Sequence, residues 1–273
     1  MPMRLGIALE GGGARCAAQA GALMALGEMG IVPMAYAGCG AGALVAALAA
    51  CSMLKEKTVT DFGAAVRQSA TLRNGVLNRR LRERFEGMLL REAHGLALPT
   101  VDMESGAVQV LSSMLPVRPD PRPWSRQALV GAAVRYAMAT PGVLPPMAWR
   151  GRRLCGGGQL RGTLPTLLRA MGAEHVLCIR VLDAGCAQHE TRAAAQALCS
   201  HAMVVAPPPG VDMMVTIGNY EPGRGVLDQG TIAPLLEVGK IAAVKALPTL
   251  EALIGSRVGK IVLFPGMDAR AQS

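Results

Sequence analysis

The first half of the chain alternates short apolar runs with glycine turns. Arg4 to Leu9 is mostly apolar and reads as a strand that ends in Glu10-Gly11-Gly12-Gly13. Ala14 to Met29 has helical composition, with Leu23, Leu26 and Met29 apolar at three-residue steps. Met34 to Ala37 predicts a second strand. Ala41 to Leu54 predicts a second helix, apolar nearly all round and therefore buried. Strand, glycine loop, helix, strand, glycine turn and helix, in that order, open a parallel α/β sheet. The 26 residues from Met29 to Leu54 carry no charge, which is long enough to span a bilayer. Pro33 and the glycines at 38, 40 and 42 cut that run, so it reads as a buried strand–turn–helix.

Residues 55 to 95 are the polar part of this half. Leu77, Leu81, Phe85 and Met88 fall on one helical stripe while Arg79, Arg80, Arg82 and Arg84 face elsewhere. That helix reads as a solvated basic surface, or as one that lies against anionic headgroups. Short strands are expected at Leu98–Asp102 and Val108–Leu111, and the four prolines from Pro116 to Trp124 mark a loop. Ser125 to Ala139 predicts a helix with Ser125 as N-cap, stopped by Pro141-Gly142. A glycine turn at 156–158 leads to a helix near Pro165–Met171. A strand (His175–Val181), a helix (Thr191–Ser200), a strand (Ala202–Ala206) and a long helix in Thr231–Ile254, broken near Pro248, follow. No linker and no repeating period divides residues 1–273, so one domain is expected.

Composition narrows the function classes. Hydrophobic residues are 51% and charged residues 17%, which excludes a disordered chain. The net charge of +9 comes from 23 arginines and 5 lysines. No clustered aromatics or groove-reading motif accompany it, so nucleic acid is not expected as a partner; an anionic lipid surface or acidic partner stays open. The seven cysteines form no C-x-x-C and no secretory signal opens the chain. Reduced thiols in a cytoplasm are therefore expected, with a peripheral membrane location open. The histidines at 94, 175, 189 and 201 show no metal-ligand spacing, and no metal or cofactor is expected.

Two turns carry candidate chemistry. Gly11-Gly12-Gly13-Ala14-Arg15 joins a strand to a helix, where backbone N–H groups and the helix dipole favour an anion. A dinucleotide fingerprint would need a third glycine where Cys16 stands and an acidic residue further on, and has neither. The same loop could donate N–H groups to the oxyanion of acyl transfer, or could be a packing turn alone. Gly38-Cys39-Gly40-Ala41-Gly42 has the glycines of a G-x-S-x-G nucleophile elbow at a strand-to-helix turn. At its apex stands Gly40, with no side chain.

On these residues the chain resembles the patatin-like phospholipases along nearly its whole length. Gly6–Ile31 is similar to the family's glycine-loop opening, and Ala35–Ala46 to its elbow. Leu98–Gly106 resembles its Asp-containing strand and turn, with Asp102 and Gly106 in place. Ala132–Pro146 is similar to the helix and Pro-Gly turn before the catalytic aspartate loop, Leu154–Pro165 to that loop, and Gly172–Val181 to the next strand. The resemblance implies a three-layer α/β sandwich with a central, mainly parallel sheet between helices. It also implies a serine–aspartate dyad that cleaves lipid acyl esters over a glycine-rich oxyanion hole.

Carried over, the nucleophile position is Gly40. The aspartate, counted back from Pro165, falls on Gly157, followed by Gly158; a shift of one gives Gly156. Cys16 replaces the last loop glycine, while Gly11, Gly12, Gly13 and Arg15 are kept. Without hydroxyl and base there is no covalent route. The expectation is therefore an inactive member that binds an acyl lipid or anionic ligand. An active hydrolase using Cys39 and a purely structural or partner-binding protein are the alternatives, and no protein partner can be named.

Overall fold

The computed structural model describes residues 4–71, 75–140, 144–157, 163–181, 211–217 and 232–254. Four central strands run parallel: β1 (Leu5–Leu9), β2 (Ala35–Gly38), β3 (Leu96–Asp102) and, on the other side of β1, β8 (His175–Val181). Outside them lie β4 (Val108–Ser112), antiparallel to β3, then β5 (Trp124–Ser125), parallel to β4. On the far edge β9 (Met213–Ile217) pairs with β8 in parallel. The sheet order is β5-β4-β3-β2-β1-β8-β9. A hairpin of β6 (Met147–Trp149) and β7 (Arg152–Gly156) attaches where β2 ends: β2 meets β3 at Leu96 and Ala97, and β7 meets it antiparallel at Thr100 to Asp102.

Burial on both faces explains the strand sequences. Every residue of β1 is buried, and Leu5, Ile7 and Leu9 share one apolar cluster with α1 (Cys16–Glu28) and α2 (Ala41–Ala50). Ala8, Ala35, Ala37 and Cys178 point to the other face, where α6 (Thr163–Ala170) sets Leu164, Leu167 and Leu168 against them. Small residues suit that face because the side chains of α6 press close to the strands: a Cβ on Gly6 would stand 3.0 Å from the Leu168 side chain. The helical layer on the first face is two deep. Helix α7 (Ile232–Ile254) crosses α1 at Gly21 and Gly239, while α3 (Glu56–Thr71), α4 (Gly75–Phe85) and α5 (Val130–Ala137) complete it.

The expected α/β architecture is present, with several local differences. The helix expected from Ala41 to Leu54 stops at Ala50, because Cys51 and Ser52 turn the chain, Ser52 with φ +56°. The apolar run it belongs to is a strand, a turn and a helix in the core. Ser125 is no N-cap. It pairs with Leu111 as part of β5, and α5 begins only after Leu129, which bridges to Leu89. Pro248 does not break α7. It is exposed, so its ring faces solvent while Leu250 is buried and Leu247 and Leu253 hold the later turns on the core. Strands β5, β6, β7 and β9 were not expected from the sequence. The predicted elements at Thr191–Ser200 and Ala202–Ala206, and the stop at Pro141-Gly142, lie outside the described residues.

Candidate functional site

Strand β2 ends at Gly38 and α2 begins at Ala41, so the chain reverses in two residues. Gly40 makes that possible with φ +53° and ψ −135°, a conformation that side chains with a Cβ rarely adopt. Its neighbours at minus two and plus two are glycines because backbone passes where a Cβ would be. On Gly38 a Cβ would lie 2.5 Å from the Gly42 oxygen, and on Gly42 it would lie 2.4 Å from the Leu9 oxygen. The turn has the backbone geometry of a nucleophile elbow, and a glycine at its apex.

The glycine loop after β1 lies directly against this turn. A Cβ on Gly40 would stand 3.3 Å from Gly11 Cα and 3.9 Å from Thr140 Oγ1. Gly12 packs on Val181, and a short 3₁₀ turn over Gly13–Arg15 feeds into α1. Arg15 folds back so that Nε donates to the Gly12 oxygen at 3.2 Å. Cys16 lies beneath the loop, its thiol 3.6 Å from the Glu10 oxygen. At the root of the loop Glu10 receives two hydrogen bonds from Arg180, and Gln19 Nε2 donates to the Glu10 and Ile179 oxygens.

The end of β7 meets the same place. The Gly40 N–H donates to the Ala137 oxygen at 3.0 Å, and the Gly156 N–H to the Ala139 oxygen at 3.0 Å. One segment, Ala137 to Thr140, therefore holds both turns. The Gly157 N–H donates to the Pro99 oxygen at 3.1 Å, and a Cβ on Gly157 would stand 2.9 Å from the Thr100 carbonyl carbon. Here the backbone lies in the space a side chain would need. Gly11 and Gly40 thus meet just past the ends of β1 and β2, and Gly157 lies beside Pro99 and Thr100 within β3, joined to the elbow through the Ala137–Thr140 segment. Gly158 lies outside the described residues.

The remaining candidates take other roles. Cys39 is buried, and burial with the nearby Glu10 carboxylate pushes its thiol up to about 12. At neutral pH it is a packed thiol, not a thiolate. Asp102 closes the β3–β4 turn by accepting from the Glu104 N–H at 3.1 Å and Ser105 Oγ at 2.9 Å. His175 starts β8 at the opposite end of the sheet and His94 sits 3.3 Å from the Pro33 oxygen; His189 and His201 lie outside the described residues. No group of His, Cys, Asp and Glu among the described residues could hold a metal ion. Thr140 carries no motif of its own in the sequence and directly precedes the Pro141-Gly142 pair. The Glu10–Arg180 pair spans 170 residues and gave no local signal.

Away from the site, α4 buries Leu77, Leu81 and Phe85 and exposes Arg79, Arg80, Arg82 and Arg84. Met88 is half-buried and lies beyond the end of the helix. Glu83 pairs with both Arg79 and Arg80. Among the described residues no helix is long and apolar enough to cross a membrane.

Comparison with known proteins agrees with this geometry. The patatin-like phospholipase family model matches residues 7–169, which hold the glycine loop, the elbow and the end of β7. Among solved structures, VipD from Legionella pneumophila is similar over 91% of this chain and 67% of its own, with 13% identity and a TM-score of 0.53. The type III effector protein ExoU is similar over 92% of this chain and 54% of its own, with 14% identity and a TM-score of 0.46. At these identities the likeness to VipD is one of fold.

Proposed function

This chain belongs to the patatin-like phospholipase family, and we propose that it is a member without ester turnover that binds an acyl lipid or other anionic ligand at Gly11–Arg15. The observation that carries the reading is Gly40. The family's serine position has the elbow backbone, apposed to the glycine loop, and no hydroxyl. The aspartate position is a second glycine whose backbone closes on β3. A residual oxyanion site alone gives about 10³–10⁴-fold acceleration over water in other serine hydrolases, far below working turnover. Cys39 offers no substitute, because its thiol is held protonated in the core.

What the site retains is a place for an anion. Consecutive glycine amides at the entrance of α1 and the adjacent Arg15 suit a carboxylate or phosphate head. The test is direct. Purified protein treated with a fluorophosphonate and with short-chain and phospholipid esters should show neither labelling nor turnover. Mass spectrometry of its organic extract should find a fatty acid or phospholipid in stoichiometric amount. Stoichiometric labelling, or turnover lost on Cys39→Ala, would overturn the inactive reading, and an empty extract would overturn the ligand.

A further inference from the structure

We infer that the tip of the β6–β7 hairpin is a docking element for an anionic membrane surface, placed to hold the elbow against the lipid headgroups. The register sets its position. Gly156 sits opposite Thr100, just beyond the end of β2, and β7 runs outward from there past Asp102 to Arg152. Four residues of strand carry the tip about 13 Å beyond Gly156. The hairpin therefore leaves the sheet at the end where Gly11 and Gly40 lie, and not on its helical faces.

The residues at the tip are those that suit a charged interface. Trp149 and Arg152 are paired across the hairpin, and Arg150 lies over the Trp149 ring at 4.9 Å. Arg150, Arg152 and Arg153 are exposed, while Trp149 and Met147 are half-buried, each with one side against the main apolar cluster and the rest open. Beside them Met103, 44% exposed, is tied to the hairpin by its N–H, which donates to the Arg153 oxygen at 2.9 Å. An indole flanked by guanidinium groups prefers the headgroup layer, where the ring and alkyl stems meet apolar chains and the charges meet phosphate. Two carboxylates face this group: Asp102, 3.8 Å from Arg152 and bound within its own turn, and exposed Glu104. Arg150 also donates to Gln127, a neutral partner that leaves its charge in place.

The turn itself gives an independent reason. Arg150 and Gly151 form a two-residue hairpin loop with φ +48° and +77°. Turns with positive φ at both positions favour Asn-Gly or Asp-Gly, and an arginine there costs stability. A cation is held at the tip of this hairpin in a backbone state that disfavours it.

The chain has two tryptophans, so Trp124→Phe leaves Trp149 as the sole indole reporter. The full-length variant is mixed with vesicles of phosphatidylcholine alone, or of phosphatidylcholine and phosphatidylserine at 7:3. Emission should shift to the blue with the anionic vesicles only, and binding should weaken as salt rises. Each cation removed should lower partition about fivefold. Arg150→Gln/Arg153→Gln should therefore lose about 25-fold while leaving the Arg152–Asp102 pair to hold the turn. Arg79→Gln/Arg80→Gln on α4, with equal charge loss, should change little. Absence of vesicle binding, equal loss from the α4 variant, or unchanged Trp149 emission on bound vesicles would each overturn the proposal. So would retention on polyglutamate without vesicle binding, which would assign the tip to an acidic protein. The inference rests on the lipid reading of the site for its purpose, but lipid extracted from vesicle-free protein tests that reading separately.

Discussion

Arg180 grips Glu10 with two hydrogen bonds, Nε to Oε2 at 2.6 Å and Nη2 to Oε1 at 2.9 Å. The pair joins the ends of β1 and β8 at the residue just before Gly11. Its side chains are 26% and 18% exposed for Glu10 and Arg180, so neither is fully solvated when its partner is lost. Arg180→Met should cost about 2–3 kcal/mol, mostly through the carboxylate left beside the Cys39 and Cys178 thiols. Glu10→Gln with Arg180→Met should cost less than the sum of the single changes. Urea denaturation of the three variants checks both statements, and strict additivity would mean that the pair does not couple.

The two glycines of the site should respond differently to side chains. Gly40→Ser must adopt φ +53° but meets only moderate crowding at Gly11, so it should cost about 1–3 kcal/mol and keep the fold. Gly157→Asp puts its Cβ into the backbone of Thr100, which belongs to a central strand and cannot step aside cheaply. It should cost more than Gly40→Ser. Neither variant alone should hydrolyse esters, and the double variant should turn over only if the β7 end moves off β3. Melting temperatures and ester assays of single and double variants test the order.

The glycine spacing at 38, 40 and 42 made the elbow legible, since tight backbone passage permits no other residue at 38 and 42. Strands β1 and β2 were legible for a similar local reason: both their faces are buried, so each is an unbroken run of small and apolar residues. Other features depend on distant partners. Ser125 has the chemistry of an N-cap, yet its backbone is used by β4. The β6–β7 hairpin hides behind a turn in which arginine, not asparagine, takes positive φ. Helix α1 was legible from Leu23, Leu26 and Met29, but its alanine-rich first half shows no single apolar face because the sheet covers one side and α7 the other. The closure of Gly157 on Thr100 joins residues 57 positions apart, which no local pattern records.

The crossing of α1 and α7 leaves no room at its centre. A Cβ on Gly21 would lie 1.9 Å from the Leu236 oxygen, and one on Gly239 would lie 1.9 Å from the Ala18 oxygen. Alanine at either position is normally favourable in a helix by about 1 kcal/mol. Here Gly21→Ala or Gly239→Ala should instead destabilise by about 3 kcal/mol or more, because the helices must separate and lose contact along their length. Gly27→Ala on the same helix has open space around it and serves as the control, with unchanged or slightly raised stability. Thermal melts of the three variants would expose a misplaced crossing if all behaved alike.

Asp120 should give the protein a defined acid weakness in the loop before β5. Its carboxylate accepts from the Arg122 N–H at 2.9 Å, Arg122 Nε at 2.8 Å and Trp124 Nε1 at 3.3 Å, and pairs with Arg122 Nη2. Hydrogen bonds from Arg122 hold its pKa at about 2, below the ordinary 3.8. A depressed carboxylate stabilises the fold in full above its unfolded pKa, and that contribution fades as pH falls towards the folded value. The predicted window is therefore about pH 4 down to pH 2, with a contribution of about 2 kcal/mol at neutral pH. Asp120→Asn should lose that amount at pH 7, and its deficit should shrink below pH 4 and vanish near pH 2. Urea denaturation of both proteins across this range reads the difference, and Trp124 emission reports the loop itself. A deficit that stayed constant down to pH 2 would mean that the charge of Asp120 contributes nothing.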